Sequence, residues 1–359
     1  MAAKLRDLYH RYERYAGALF FVGGVVYDSL TLGRIDRLSD NLILLGYLIL
    51  LGGLIVLSGW VQTGQVQHPR LLHYQGLYPL AIQFLLGNLF SSYAVFYFQS
   101  VSLTRTAVFF CLIVLLLVAN ELIKERLTDL PLLTAMYCFC LFSFFIFFVP
   151  VVLRTMNHWT FALGVWCSAL TLAGVLVGIF LRAEDRTGLK PCALAGGGLL
   201  VLLLFFYWVN WIPPVPLALR TGGIYHRAEK QGSAYHLEMV RPPRYQFWKK
   251  SEEVFYLRSG DRAYCFTAVF APTDLHTTLF HQWQRYDEKR GEWVQTDRMS
   301  YALSGGRDGG YRGFTYKQSL TPGEWRVDVE DPEGQLLGRL AFRVEAAGER
   351  KLEFVSLER

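Results

Sequence analysis

Four histidines, His226, His236, His276 and His281, and one cysteine, Cys265, are the residues of the C-terminal part whose types admit metal or nucleophilic chemistry. A zinc site needs three or four convergent ligands. His276 and His281 are five apart, so in one regular strand they face opposite sides. No Cys pair and no His-Glu-x-x-His helix supplies the missing ligands. Cys265 falls in mid-strand rather than at a strand end or a helix N-terminus, where a thiolate would be activated. The expectation is therefore no catalytic residue, no metal and no cofactor. The run Gly305–Gly310 looks like a phosphate loop but lacks the following Lys-Ser/Thr and the helix that would lend its N-terminus. It remains a candidate recognition loop, or plainly a hairpin connection. Arg307, Asp308, Tyr311 and Arg312, with His281, Trp283 and Trp293 nearby in sequence, are types that stack on sugars or grip carboxylates and phosphates.

A second set of polar residues lies inside apolar runs: Asp28, Gln83, Asn88, Asn120 and Glu121. In a bilayer such groups are costly, and they mark pathways or interhelical hydrogen bonds. Asp28 and Asn120-Glu121 lie near run ends, within reach of headgroup water. Gln83 and Asn88 are placed to bond neighbouring helices.

The elements that would carry these residues divide sharply. Hydrophobic residues make up 52% of the 359-residue chain. Residues 1–220 hold 15 Lys+Arg and 10 Asp+Glu, whereas residues 221–359 hold 21 and 20. Seven runs approach the 20 or so apolar residues that cross a hydrocarbon core: Ala16–Leu32, Asn41–Val61, Leu77–Phe98, Leu103–Ile123, Pro131–Leu153, Trp159–Leu181 and Cys192–Trp211. The first holds Asp28, and it reads as a retained helix rather than a cleaved leader. The basic, aromatic stretch Lys4–Tyr15 before it fits a positive flank, or an amphipathic segment on anionic lipid. With the N-terminus cytoplasmic, 10 loop Lys and Arg fall on the cytoplasmic side and 4 on the other. An odd number of spans then places the C-terminal part outside the cytoplasm. The overall charge of +6 shows no face-wide basic stripe, so no nucleic-acid partner is expected. Five of the six cysteines lie in or beside apolar runs and read as packing residues.

Phe205–Trp208 and Trp211 form an aromatic belt, and Pro213, Pro214 and Pro216 forbid a continuing helix. The boundary is set here. Residues 1–212 form the transmembrane helical domain, 213–233 a proline/glycine connector, 234–346 a β-sandwich and 347–359 a tail. In the third segment the period becomes two. Tyr264, Phe266, Ala268 and Phe270 alternate with Cys265, Thr267 and Val269, and Trp325, Val327 and Val329 with Arg326, Asp328 and Glu330. Turn signals at Ser259–Asp261, Lys289–Gly291, Pro322-Gly323 and Asp331–Gly334 separate seven to nine short antiparallel strands. The expected fold is a polytopic α-helical membrane bundle with a C-terminal all-β, immunoglobulin-like sandwich.

Several stretches together carry a family pattern: Pro213–Leu217, Gly223–His226, Val269–Pro272, His281-Gln282-Trp283, Gly305–Arg312 and Leu320–Val329, followed by Gly334, Gly338-Arg339 and Phe342. Upstream, Tyr97–Ser100 and Asn120-Glu121 continue it. The chain thus resembles the bacterial domain-of-unknown-function family twenty-nine-fourteen. The resemblance implies a bacterial envelope protein and implies no activity, and with the apolar runs the expected location is the bacterial inner membrane. The function expected is binding of an envelope polysaccharide or envelope protein by the external β domain, with the helices anchored in the lipid bilayer. A transporter or channel-like component lined by Asn88, Asn120 and Glu121 is one alternative, and a membrane-embedded enzyme is another.

Overall fold

The computed structural model describes residues 38–66, 68–98, 107–122, 127–209, 211–212, 216–232, 234–246, 249–271, 276–304 and 311–359. Two compact units emerge, one helical and one β, each described by itself.

The helical unit contains α1 (Leu38–Gln62), α2 (Pro69–His73), α3 (Tyr78–Phe98), α4 (Ala107–Leu122), α5 (Leu130–Leu153), α6 (His158–Phe180) and α7 (Leu189–Trp208). Five helices are long and apolar enough to cross a membrane: α1, α3 with its preceding 3-10 turn, α5, α6 and α7. The run expected over Leu103–Ile123 appears as α4, whose apolar stretch Val108–Asn120 is shorter. The first expected span, Ala16–Leu32 with Asp28, lies outside the described residues. In α5 the apolar window is 72% buried, and in α7 only 17%, so α5 is the central helix of the unit. Its aromatic face packs against α3: Phe139 meets Phe90, and Phe147 meets Tyr93 and Phe96. Tyr93 and Tyr97 donate to the carbonyls of Cys140 and Ser143 at 3.0 and 2.8 Å. Close approach rests on absent side chains. A Cβ at Gly164 of α6 would lie 2.9 Å from the Phe145 carbonyl oxygen.

The β unit contains β1 (Ala218–Tyr225), β2 (Arg227–Gln231), β3 (Ala234–Val240), β4 (Val254–Leu257), β5 (Ala263–Phe270), β6 (His276–Asp287), β7 (Glu292–Ser304), β8 (Tyr311–Lys317), β9 (Gly323–Glu330), β10 (Leu336–Ala346) and β11 (Phe354–Glu358). They form three sheets, ordered β1-β5-β8, β4-β10-β9-β6-β7 and β11-β3-β2. The pairings are antiparallel except β4 with β10. One face of β5 packs on the five-stranded sheet, where Ala263 and Cys265 join Trp283, Trp325, Val327 and Phe342. The other face, with Phe266 and Ala268, packs on Tyr235, Leu237 and Met239 of β3. The alternation in β5 predicts a half-buried strand, but both of its parities are core.

Two boundaries differ from expectation. Residues 218–231, read as connector, form β1 and β2, and the supposed tail pairs as β11 along β3. The glycines that resembled a linker mark tight packing. A Cβ at Gly222 would lie 3.1 Å from Leu340, and one at Gly223 would lie 2.4 Å from the Cβ of Ser251.

Candidate functional site

Among the described residues, those selected by type do not gather at one solvent-facing place. His281 on β6 and its neighbour Trp283 are both fully buried. His281 Nε2 lies 2.9 Å from Thr267 Oγ1 and its Nδ1 lies 2.9 Å from Thr315 Oγ1. Thr267 also meets the Tyr301 hydroxyl at 2.7 Å, and Trp283 Nε1 donates to Thr315 at 3.2 Å. A neutral imidazole, one nitrogen donating and one accepting, satisfies this chain. Burial pulls the His281 pKa down to about 3. These residues therefore fasten β5, β6, β7 and β8 together inside the core and offer no surface to a ligand. Tyr311 packs against the second core cluster, and the Arg312 carbonyl accepts from Tyr235. Trp293 carries the Arg326 guanidinium over its ring at 4.3 Å. Arg307 and Asp308 lie outside the described residues, as does the His276 side chain. Cys265 is buried, and its thiol pKa is raised by that burial. Among the described residues no group of three or more His, Cys, Asp or Glu could hold a metal ion.

In the helical unit Asn120 is buried, and its Nδ2 donates to the Gln83 carbonyl at 3.0 Å, joining α4 to α3. Asn88 instead donates back to Phe84 of its own helix at 2.8 Å. Asp28 and the Glu121 side chain lie outside the described residues.

The place most like a built site was not singled out by the sequence. A cavity of about 330 Å³ opens beside the end of β3 and the start of β4, lined by Met239, Arg241, Pro242, Gln246, Glu252 and Tyr256 among others. Glu252 is 6% exposed. Its Oε1 accepts from the Val240 amide at 2.8 Å and lies 2.7 Å from His226 Nδ1. The other nitrogen of His226, Nε2, lies 3.2 Å from the Tyr256 carbonyl oxygen. Both ring nitrogens therefore face acceptors, an arrangement that suits the doubly protonated imidazolium. Burial opposes that charge, but the Glu252 hydrogen bond and charge, with the Tyr256 carbonyl and Asp261, outweigh it and raise the His226 pKa. The ring is stacked on Phe255 at 4.1 Å and met edge-on by Phe354. Among the described residues Glu252 Oε2 has no hydrogen-bond partner, and it is closed to solvent. At the mouth, Lys249 pairs with Glu253 at 2.7 Å and Arg241 with Glu353 at 3.3 Å. His226 and Glu252 are separated by 25 residues, and no spacing rule joins them. The only sequence signal is a Glu pair, Glu252-Glu253, set just before an apolar strand.

No curated protein matches the chain. A solved structure of the Pseudomonas fluorescens alkylpurine DNA glycosylase AlkC, bound to DNA containing an abasic site analog, covers 78% of this chain and 83% of its own. It does so at 10% identity and a TM-score of 0.21, too low to support a shared fold. The cavity residues precede a stretch that matches a family model. Residues 276–344, from β6 into β10, match the model of the family described as protein of unknown function (DUF2914), and the C-terminal region carries that family resemblance.

Proposed function

We propose that the protein is a multi-pass component of the bacterial inner membrane whose β unit lies outside the cytoplasm and binds an envelope polymer or protein through the cavity at Glu252. The observation that carries this reading is the cavity itself. Glu252, held by His226 and the Val240 amide, is a fixed part of its wall, so the shape of the cavity is set before any ligand arrives. Seven spans fit the chain when the shorter α4 run and residues 16–32 are added to the five long apolar helices. The excess of basic residues in alternate loops supports a cytoplasmic N-terminus.

The finer fold proposed for the β unit is immunoglobulin-like with an added third sheet. Trp283 packs with Cys265 of the facing sheet and with Val327, its partner on the neighbouring strand β9. Two residues before Val327, Trp325 donates from Nε1 to the Thr321 carbonyl at 2.8 Å. An immunoglobulin domain puts its core tryptophan and its corner tyrosine at comparable places.

The test is a topology reporter fused after Arg359, combined with retention of the purified protein on isolated cell-envelope fractions. An extracytoplasmic C-terminus with retention supports the reading. A cytoplasmic C-terminus removes it, because the β unit would never meet the envelope.

A second reading, a transporter or channel-like component, rests on one observation. Ser91 Oγ and Asn120 Oδ1 are buried in the helical unit without a hydrogen-bond partner among the described residues. Under it, Asn120→Leu abolishes transport at an unchanged folded amount. If the variant lowers only the amount of folded protein, Asn120 is a packing residue.

A further inference from the structure

The third sheet, ordered β11-β3-β2, ends on two edges that meet their surroundings differently. A free strand edge offers unpaired amides and carbonyls to any other chain, and charged side chains, lysine above all, are the usual protection. β2 has that protection in Arg227, Glu229 and Lys230, the first two paired with each other at 2.6 Å. β4, an edge of the five-stranded sheet, is only four residues long, and its Tyr256 carbonyl is met by His226 Nε2 at 3.2 Å. β11 has no such cover. Tyr235 and Arg359 exchange backbone hydrogen bonds at 2.8 and 2.9 Å, and the Arg241 amide donates to the Glu353 carbonyl at 2.7 Å. Bonded pairs alternate along an antiparallel ladder. Glu353, Val355, Leu357 and Arg359 therefore turn their backbone groups toward β3, and Phe354, Ser356 and Glu358 turn theirs outward. Among the described residues no strand pairs with that outer side, and Phe354 beside it is 42% exposed.

This edge is complementary to itself. Two copies of β11 set antiparallel about a two-fold axis at Ser356 bring Ser356 opposite Ser356 and Phe354 opposite Glu358 of the second copy. In that register every outward amide meets an outward carbonyl. Val355 and Leu357, which pack on the third cluster, fall opposite Leu357 and Val355 of the second copy, so apolar side chains meet one another. Glu353 falls opposite Arg359 of the second copy, twice over by symmetry, and opposite charges across a strand pair favour it. A slip of two residues toward the start of the strand sets Lys351 against Arg359 instead. A pair of five-residue strands buries well under the roughly 1,000 Å² of a stable interface, so detached β units stay apart in solution. Chains anchored in one bilayer by their long apolar helices are held at a raised effective concentration, where a weak pairing suffices. Both copies share a side of the bilayer whichever side that is. The pairing therefore depends on the membrane reading of the helices and on neither the cavity nor the orientation.

We propose that two copies of the chain in one membrane pair through β11, antiparallel about Ser356, so that their third sheets join into one continuous sheet.

The experiment uses the full chain. In intact membranes, a short bismaleimide joins Ser356→Cys into a dimer, and it joins neither the parent nor Glu229→Cys on the protected β2 edge. The chain released in polymer-bounded lipid discs is then weighed by native mass spectrometry, and the parent is a dimer. Ser356→Pro, which removes only an outward amide, lowers the dimer fraction about tenfold or more at an unchanged melting temperature. Glu353→Arg sets like charges opposite each other and lowers it about threefold or more, and adding Arg359→Glu restores it. If Ser356→Pro fails to fold, the charge exchange decides. The proposal is overturned if the parent is monomeric in the discs, or if Ser356→Cys cross-links no better than Glu229→Cys or only to other proteins. It is equally overturned if a folded Ser356→Pro dimerises as the parent does, or if the double exchange leaves the fraction where Glu353→Arg put it. A cytoplasmic C-terminus, which removes the envelope reading, leaves this pairing untouched.

Discussion

At the scale of the residue, the buried titratable groups of the β unit act in opposite directions with pH. His281 is held near a pKa of 3 by burial, below the ordinary 6.5. Between those values the unfolded chain binds a proton that the folded chain refuses. Its contribution is complete above about pH 6.5 and falls as the pH drops, by up to about 1.4 kcal/mol per unit. Asp331 is 1% exposed, and burial lifts its carboxyl to about 7 against the hydrogen bond from the Gln335 amide. Here the folded chain holds the extra proton, so stability is present below the unfolded pKa and is lost as the pH rises toward 7. Two variants separate these effects. His281→Gln flattens the loss of melting temperature between pH 6.5 and 4.5, although it lowers the value at pH 7 by breaking the Thr267–Thr315 link. Asp331→Asn raises the melting temperature at pH 8, and the gain shrinks by pH 5. An Asp331→Asn protein no more stable at pH 8 than the parent would show that this carboxyl is ionised there without cost. Neither role was legible in the sequence. By type alone, His281 is a candidate ligand-binding residue. Alternation alone does not say which face of β6 meets water.

At the scale of the element, the sequence was most legible where one period ran unbroken. The five long apolar helices, the alternation in β9 and β10, and the turns between strands are all visible as patterns. The extra sheet was not. β2 reads Arg-Ala-Glu-Lys-Gln, with one apolar residue, and β11 reads Phe-Val-Ser-Leu-Glu; both are edge strands of only five residues, bordered by glycines that imitate a linker. Their partner β3 supplies the buried side chains Tyr235, Leu237 and Met239 that cover β5. β11 is fixed by backbone pairing along β3, from Phe354 opposite Val240 to Glu358 opposite His236, and by Val355 and Leu357, which pack on the third cluster. A chain ending at Gly348 therefore loses a paired edge and the Phe354 contact on His226. Its β unit is expected to melt on the order of 5 °C lower, with the His226–Glu252 cavity opened further. Gly223 gives a sharper check. Gly223→Ala forces a methyl to within 2.4 Å of the Ser251 Cβ, and it should cost about 1–3 kcal/mol by overpacking. At Gly232, where nothing lies within 4 Å, crowding plays no part and only the positive φ of 62° opposes alanine. Chemical denaturation of the two variants distinguishes crowding from backbone strain.

At the scale of the whole molecule, the question is whether the β unit depends on the helices for its stability. Three buried clusters tie its sheets together, with Trp283 and Trp325 in the first, Leu279 and Leu303 in the second, and Tyr235 and Phe266 in the third. The side-chain ties between strands run within the unit: Lys317 to Asp297, Arg339 to Asp328 at 2.6 Å, and His226 to Glu252. Its only cysteine, Cys265, is unpaired, so no disulfide has to form first. A domain of roughly 150 residues buries enough surface to fold without such staples. Residues 213–359, produced alone in a reducing cytoplasm, should therefore be soluble and monomeric. They should unfold in urea in one cooperative step, monitored together by the fluorescence of the buried tryptophans and by far-ultraviolet circular dichroism. Two separated transitions would mean that the sheet of β2, β3 and β11 is a loosely held layer, and the cavity at its border would then lack the rigidity a binding site needs. An insoluble product would place part of the stabilising surface on the helical unit, so that ligand binding and membrane insertion could no longer be treated as separate properties of the chain.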